Sequence, residues 1–231
     1  IDDLPSTVEL RLYEDSADLG FLTPTFRRVV IEEGITTPAG LVFNDWDTTD
    51  EVRTLTLTLN GGVELNGELS IPTKTNKSGS LVQRFFDTLT INSVGTAANK
   101  ATGSTNNVLD GNISTLLDIP LPDGSGTSEN NLLKVVINAT QNFVIAPGVL
   151  TGSIIFRSTD ASDYPDANLV VKGTANVTME QLDVTDNDIS ILNVSNQGTG
   201  VLTVTGGSPA ILDNGLLPGG NTAANLETLT F

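Results

Sequence analysis

The sequence predicts an all-β protein, an antiparallel β-sandwich of immunoglobulin-like or jelly-roll type, formed as one large or two small sandwiches. Three observations carry that expectation. Apolar and polar residues alternate with period two in short runs. Gly, Pro, Asn, Asp and Ser separate nearly all of those runs. No window long enough for a helix combines a 3.6-residue apolar period with caps. Strands that follow strands over short turns read as an antiparallel sandwich or barrel.

Taken in chain order, Ser6–Glu14 (STVELRLYE) puts Val8, Leu10 and Leu12 on one side and Thr7, Glu9, Arg11 and Tyr13 on the other. It is a strand with no obvious hairpin partner nearby. From Arg53 to Ile71 the signal is clearest. Leu55, Leu57 and Leu59 alternate with Thr54, Thr56 and Thr58, Asn60-Gly61-Gly62 tolerates positive φ, and Val63, Leu65, Leu69 and Ile71 resume the apolar face. This predicts a β-hairpin with one buried face. Further strands are expected in 26–31, 81–91, 132–139, 152–157, 169–177, 189–194, 201–205 and 226–231.

Two stretches break the rhythm. Residues 93–112 are small, polar and without period, as a long loop or domain junction would be, and 122–131 (PDGSGTSENN) is a linker or a wide hairpin loop. A boundary between them divides the chain into an N-terminal sandwich region, 1–122, and a C-terminal immunoglobulin-like region, 131–231, unless the whole is a single domain.

Composition narrows the function. Hydrophobic residues make up 38% of the 231 residues and aromatics 5%, so Val, Leu, Ile and Thr must fill a thin, sheet-like core. Eleven basic residues against 28 acidic ones leave a net charge of −17, which repels phosphate backbones and argues against nucleic acid and anionic membranes as partners. The acidity suits solubility, calcium binding or a saline habitat. No apolar run is long enough to span a bilayer. The start at Ile1 without Met is what removal of an export leader would leave, so the expected location is extracellular or at a cell surface.

In the C-terminal part, Asn142–Val177 (NFVIAPGVLTGSIIFRSTDASDYPDANLVVKGTANV) resembles the closing half of an immunoglobulin-like module of the HYDIN and abnormal-spindle type, with a Pro-Gly turn before a strand, an SxD turn and a strand ending in Gly-Thr. Leu192–Gly207 resembles the opening half of such a module, and 216–231 its later strand, stopping before the final ones. The resemblance implies exported, surface-associated scaffold modules and an incomplete sandwich that another chain would complete.

The chain has no His and no Cys, which removes His-based triads, His and thiolate metal sites, disulfides and the commonest general base. Carboxylates, Ser, Thr, Tyr and Lys remain, and nothing in the sequence selects a catalytic pair among them. Gly206-Gly207 and Gly219-Gly220 lack the Lys and following helix of a phosphate loop and read as turns. Acidic clusters are the best candidate sites. Asp160, Asp163 and Asp166 recur every three residues, and Asp183, Asp186 and Asp188 form a second group. Loops of carboxylate and carbonyl oxygens suit Ca²⁺, a hard cation with six to eight oxygen ligands, although neither cluster has the Gly and terminal Glu of an EF-hand. The same residues also suit plain solvated turns, as do Asp45, Asp47, Asp50 and Glu51 around Trp46. Asn-x-Ser/Thr occurs at Asn76, Asn112, Asn138, Asn176 and Asn193, a number that this Asn-, Ser- and Thr-rich composition produces by chance. Glycosylation would require both a source with the machinery and acceptors that face outward.

These readings point to a non-enzymatic extracellular structural protein that associates with copies of itself as a filament, sheath or surface-layer subunit. Val8, Leu10 and Leu12 mark the strand expected either to pair in its own subunit or to be donated to a neighbour. The alternatives are a calcium-dependent adhesin or carbohydrate-binding module, and a viral or phage surface protein.

Overall fold

A computed structural model of the chain describes residues 9–13, 28–37, 41–42, 54–71, 88–115, 134–146, 152–156, 166–183, 191–205, 211–212 and 228–230. Strand β1 (Glu9–Leu12) precedes six coils of three strands each. The first coil holds β2 (Arg28–Ile31), β3 (Thr36–Thr37) and β4 (Leu41–Val42), and the second β5 (Thr54–Asn60), β6 (Glu64–Asn66) and β7 (Leu69–Ile71). The third and fourth hold β8 (Thr88–Val94), β9 (Asn107–Asp110), β10 (Ile113–Thr115), then β11 (Lys134–Ala139), β12 (Phe143–Ala146) and β13 (Ser153–Ile155). The last two hold β14 (Asp166–Gly173), β15 (Val177–Met179), β16 (Gln181–Asp183), then β17 (Ile191–Asn196), β18 (Leu202–Val204) and β19 (Ile211–Leu212), followed by β20 (Thr228–Thr230).

Three sheets result. The long sheet has the order β1-β2-β5-β8-β11-β14-β17-β20, the second β3-β6-β9-β12-β15-β18 and the third β4-β7-β10-β13-β16-β19. Every pair is parallel. Each turn of chain visits the three sheets in the same order and returns one rung further along, which is a parallel β-helix.

The antiparallel sandwich expected from the sequence is therefore overturned, and with it the immunoglobulin-like architecture of the C-terminal part. The physical reason is that period-two alternation fixes which face of a strand is buried but says nothing of its partner's direction. β5 and β8 do show the expected strict alternation of buried and half-buried residues. The difference lies at Asn60-Gly61-Gly62. Gly61 and Gly62 have φ of 79° and 60°, as a tight turn needs, yet the turn leads from the long sheet into the second and closes no hairpin. β5 bonds to β2 and β8, not to the segment that follows it. Likewise β1, which had no visible hairpin partner, pairs in parallel with β2. The Gly173-Thr174 and Gly198-Thr199 pairs of the supposed module stand at the same corners as Gly61.

The core is a set of vertical stacks. Leu55, Leu89, Val135, Leu169 and Val194 occupy successive rungs of the long sheet, and beside them run Val29, Leu57, Ile91, Ile137 and Val171. In the third sheet Leu41, Leu69, Ile113, Ile154 and Leu182 form another. All of these side chains are buried. Each contributes about 1.5–3 kcal/mol by leaving water. Polar ladders match them on the outer face. Asn138 Nδ2 donates to Asn92 Oδ1 at 2.8 Å, and Asn92 Nδ2 to Thr58 Oγ1 at 3.2 Å, one rung apart each time.

Of the stretch 93–112, expected as a loop or domain junction, residues 95–106 make the turn from β8 to β9, whereas 93–94 end β8 and Asn107–Asp110 form β9. The sheets continue without a break across the boundary placed between 122 and 131, since β8 pairs with β11, β9 with β12 and β10 with β13.

Candidate functional site

The three edges of the coil differ in kind. Turns from the second sheet into the third include short ones, at Gly67–Glu68, Gly111–Asn112 and the single residue Glu180. Turns from the long sheet into the second are Gly- and Asn-rich and well formed. Connections from the third sheet back to the long one, 43–53, 72–87, 116–133, 156–165, 184–190 and 213–227, run from seven to 18 residues. They hold four, one, three, two, two and two acidic residues, half of the 28 in the chain, against five of the 11 basic ones.

Of the sequence-predicted acidic residues, Asp166 and Asp183 are described. Asp166 opens β14 and Asp183 closes β16. Asp166 stands in register with Ile191, and Asp183 with Ile155 and Leu212. Asp160, Asp163, Asp186 and Asp188 lie outside the described residues, as do Asp45, Asp47, Asp50, Glu51 and Trp46. Among the described residues no three His, Cys, Asp or Glu side chains gather as a metal-binding group. No period in the sequence announced this juxtaposition, because the register partners Arg28–Thr56, Thr54–Thr88, Thr88–Lys134, Lys134–Asn168, Asn168–Asn193 and Asn193–Thr230 are 28, 34, 46, 34, 25 and 37 residues apart.

The assembly strand is also placed. Leu10 and Leu12 sit in β1, partly buried against the core, and Val8 lies outside the described residues. β1 bonds β2 on one edge, and among the described residues no strand lies on the other. Its polar side is charged. Arg11 pairs with Glu9 at 2.7 Å and Glu32 at 2.8 Å, and Glu9, then Glu32, hold the guanidinium pKa above its ordinary value. At the opposite end, Thr228-Leu229-Thr230 of β20 repeats the tripeptide of the interior rungs Thr54-Leu55-Thr56 and Thr88-Leu89-Thr90.

Two Asn residues that sequence reasoning missed organise the edge between the long and second sheets. Asn107 is fully buried. Its Oδ1 accepts from Val63 N–H at 3.1 Å, and its Nδ2 points at Leu59 O, Ser93 Oγ and Val94 O at 2.9–3.2 Å. Asn99, 3% exposed, donates to Thr36 Oγ1 and Gly62 O at 2.9 Å and accepts from the N–H groups of Ala101 and Thr102. Residues 95–106 are thereby drawn back over the corners of the two preceding coils, where Lys100 N–H bonds Gly34 O and Gly62 N–H bonds Thr105 O. Further along the same edge the exposed Asn142 donates to Asn106 Oδ1 and accepts from Asn176 N–H, and Asn176 Oδ1 accepts from Val201 N–H. Asn in a strand-poor polar stretch is the only sequence signal for either device, and it marks plain turns equally well.

Comparison with protein-family models, with curated proteins and with solved structures gives no match to this chain.

Proposed function

We propose that the chain is a non-enzymatic, extracellular structural protein, a rigid solenoid that associates with further copies of itself by adding rungs to its ends. The observation that carries this reading is that the interior strands of the long sheet accept parallel neighbours on both edges, while β20, uncharged over Thr228–Thr230, has a neighbour on one edge among the described residues. Thr88-Leu89-Thr90 accepts a parallel neighbour on both edges, and β20 carries the same tripeptide, shifted by two residues so that Thr230 follows Asn193 in the column of Thr88, with a neighbour on one edge among the described residues. An edge of that kind, without Pro, charge or bulge, templates another strand. The mode differs from completion of a sandwich, since a solenoid gains a rung at its end. A chain with neither His nor Cys lacks the usual nucleophile-activating groups, which favours a structural role over catalysis. Sedimentation velocity over a hundredfold concentration range, with negative-stain microscopy of the same samples, tests it. Concentration-dependent rods that Leu229→Pro abolishes are the expected result, because Pro is not tolerated in a paired rung. A monodisperse monomer throughout overturns the reading.

One observation favours a second reading, a calcium-dependent adhesin or glycan-binding module. Asp166 opens β14 and Asp183 closes β16, so one described member of each acidic cluster stands at the same edge of one coil. Calcium titration followed by calorimetry decides it, with chelator-sensitive binding to the monomer expected and no heat of binding counting against it.

A further inference from the structure

Of the five Asn-x-Ser/Thr tripeptides, the structure describes the acceptor residue in four and separates them sharply. Asn112 is 8% exposed, and its Oδ1 accepts from Ser153 N–H in the interior. A sugar there displaces the third-sheet stack. Asn138 and Asn193 lie on interior rungs of the long sheet, and each spends its Nδ2 in a ladder, Asn138 on Asn92 Oδ1 and Asn193 on Asn168 Oδ1 at 3.3 Å.

Asn176 is different in each respect. It is exposed, at the end of the three-residue turn Thr174–Asn176 and outside any strand. Its main-chain N–H donates to Asn142 Oδ1, its carbonyl accepts from Phe143 N–H, and its side-chain oxygen accepts from Val201 N–H at 3.0 Å. Because a main-chain N–H can only donate, that last bond fixes which side-chain atom is the oxygen. Nδ2 is therefore the atom left over, with no hydrogen bond among the described residues. The ladder Asn106, Asn142, Asn176 ends here because the next turn, 197–201, carries no Asn, and of these three only Asn176 has the Thr two residues on, Thr178.

We propose that Asn176 is an N-glycan attachment site. The reaction is transfer from an oligosaccharide carried on a lipid diphosphate. Asn176 Nδ2 attacks the anomeric carbon, the bond from that carbon to the diphosphate oxygen breaks, the lipid diphosphate leaves, and one Nδ2 proton passes to a base of the transferase. The product keeps Oδ1, so its bond to Val201 survives, and the glycan projects from the edge opposite in character to the acidic one.

The test is secretion of the chain carrying Asn76→Gln from a eukaryotic host that uses such a donor. Peptide N-glycosidase treatment of the folded, cooperatively unfolding fraction in heavy-oxygen water, with peptide mapping, then reads occupancy. The expected result is conversion of Asn176 to labelled Asp with the Asn112, Asn138 and Asn193 peptides unlabelled. Thr178→Val, which destroys the tripeptide but leaves every hydrogen bond of Asn176, removes one glycan mass without changing the unfolding midpoint. Folded protein with Asn176 unoccupied, or with equal occupancy at Asn112, Asn138 or Asn193, overturns the proposal.

Discussion

The edge between the long and second sheets and the edge between the third and long sheets are made from the same polar alphabet and behave as opposites. At the first, Gly and Asn serve the backbone. Asn107 satisfies buried groups from three segments, Asn99 ties 95–106 across two coils, and the turns at 140–142 and 174–176 are three residues long. At the second, the connections reach 18 residues, 116–133, and collect half the carboxylates. A solenoid tolerates such inequality because each coil is stabilised by its neighbours along the stack, and insertion into a connection leaves the rungs in register. One edge is thus framework and the other display.

The comparison breaks most severely at Asn107. Asn107→Leu strands the buried N–H of Val63 and the carbonyls toward which Nδ2 points, each costing about 1–3 kcal/mol, so a loss of about 3–5 kcal/mol is expected in urea unfolding. A loss below about 1 kcal/mol would mean that this edge is no framework.

A pair of glycines sharpens it next. Gly62 and Gly103 share positive φ, 60° and 71°, but a Cβ on Gly62 collides with the main-chain N of Asn99, whereas one on Gly103 meets nothing within 4 Å. Gly103→Ala carries only the left-handed backbone penalty, about 1 kcal/mol, and Gly62→Ala adds displacement of residues 95–106, for about 3 kcal/mol in all. Equal thermal shifts in the two variants would show that 95–106 does not bear on Gly62. Asn99→Ala falls between them, at about 2 kcal/mol, since two acceptors lose their donor while Ala101 and Thr102 can turn to water.

How much of this was legible follows from what each signal encodes. The strands were readable because Leu55, Leu57 and Leu59 each face inward at every second position whatever lies beside them. Gly61 and Gly62 were readable as a positive-φ turn. Neither reports direction, and the hairpin inferred from them was wrong because a corner between sheets and a hairpin loop need the same residues. The partners that decide the fold, such as Thr54 with Thr88 and Thr88 with Lys134, lie 34 and 46 residues apart with unlike sequences between. A fixed period would have revealed a solenoid, but connections of unequal length erase it. Of the candidate site residues, Asp166 and Asp183 were legible by type, while their places at the ends of β14 and β16 depended on that hidden register. Asn99 and Asn107 were invisible, since their importance lies wholly in burial.

The smallest effect is expected where the display edge is altered. Asp160→Asn with Asp163→Asn removes two charges from the segment between β13 and β14, and without calcium the unfolding free energy should stay within about 0.5 kcal/mol of the parent. With calcium the two readings of function separate. If the edge only keeps the solenoid dissolved, calcium stabilises parent and variant alike. If the clusters around β14 and β16 hold an ion between coils, the parent alone gains about 2.7 kcal/mol at a calcium concentration a hundredfold above its dissociation constant. A gain confined to the parent would make this edge a binding site as well as a display, and would turn the acidic excess from a means of solubility into the reason the long connections share an edge.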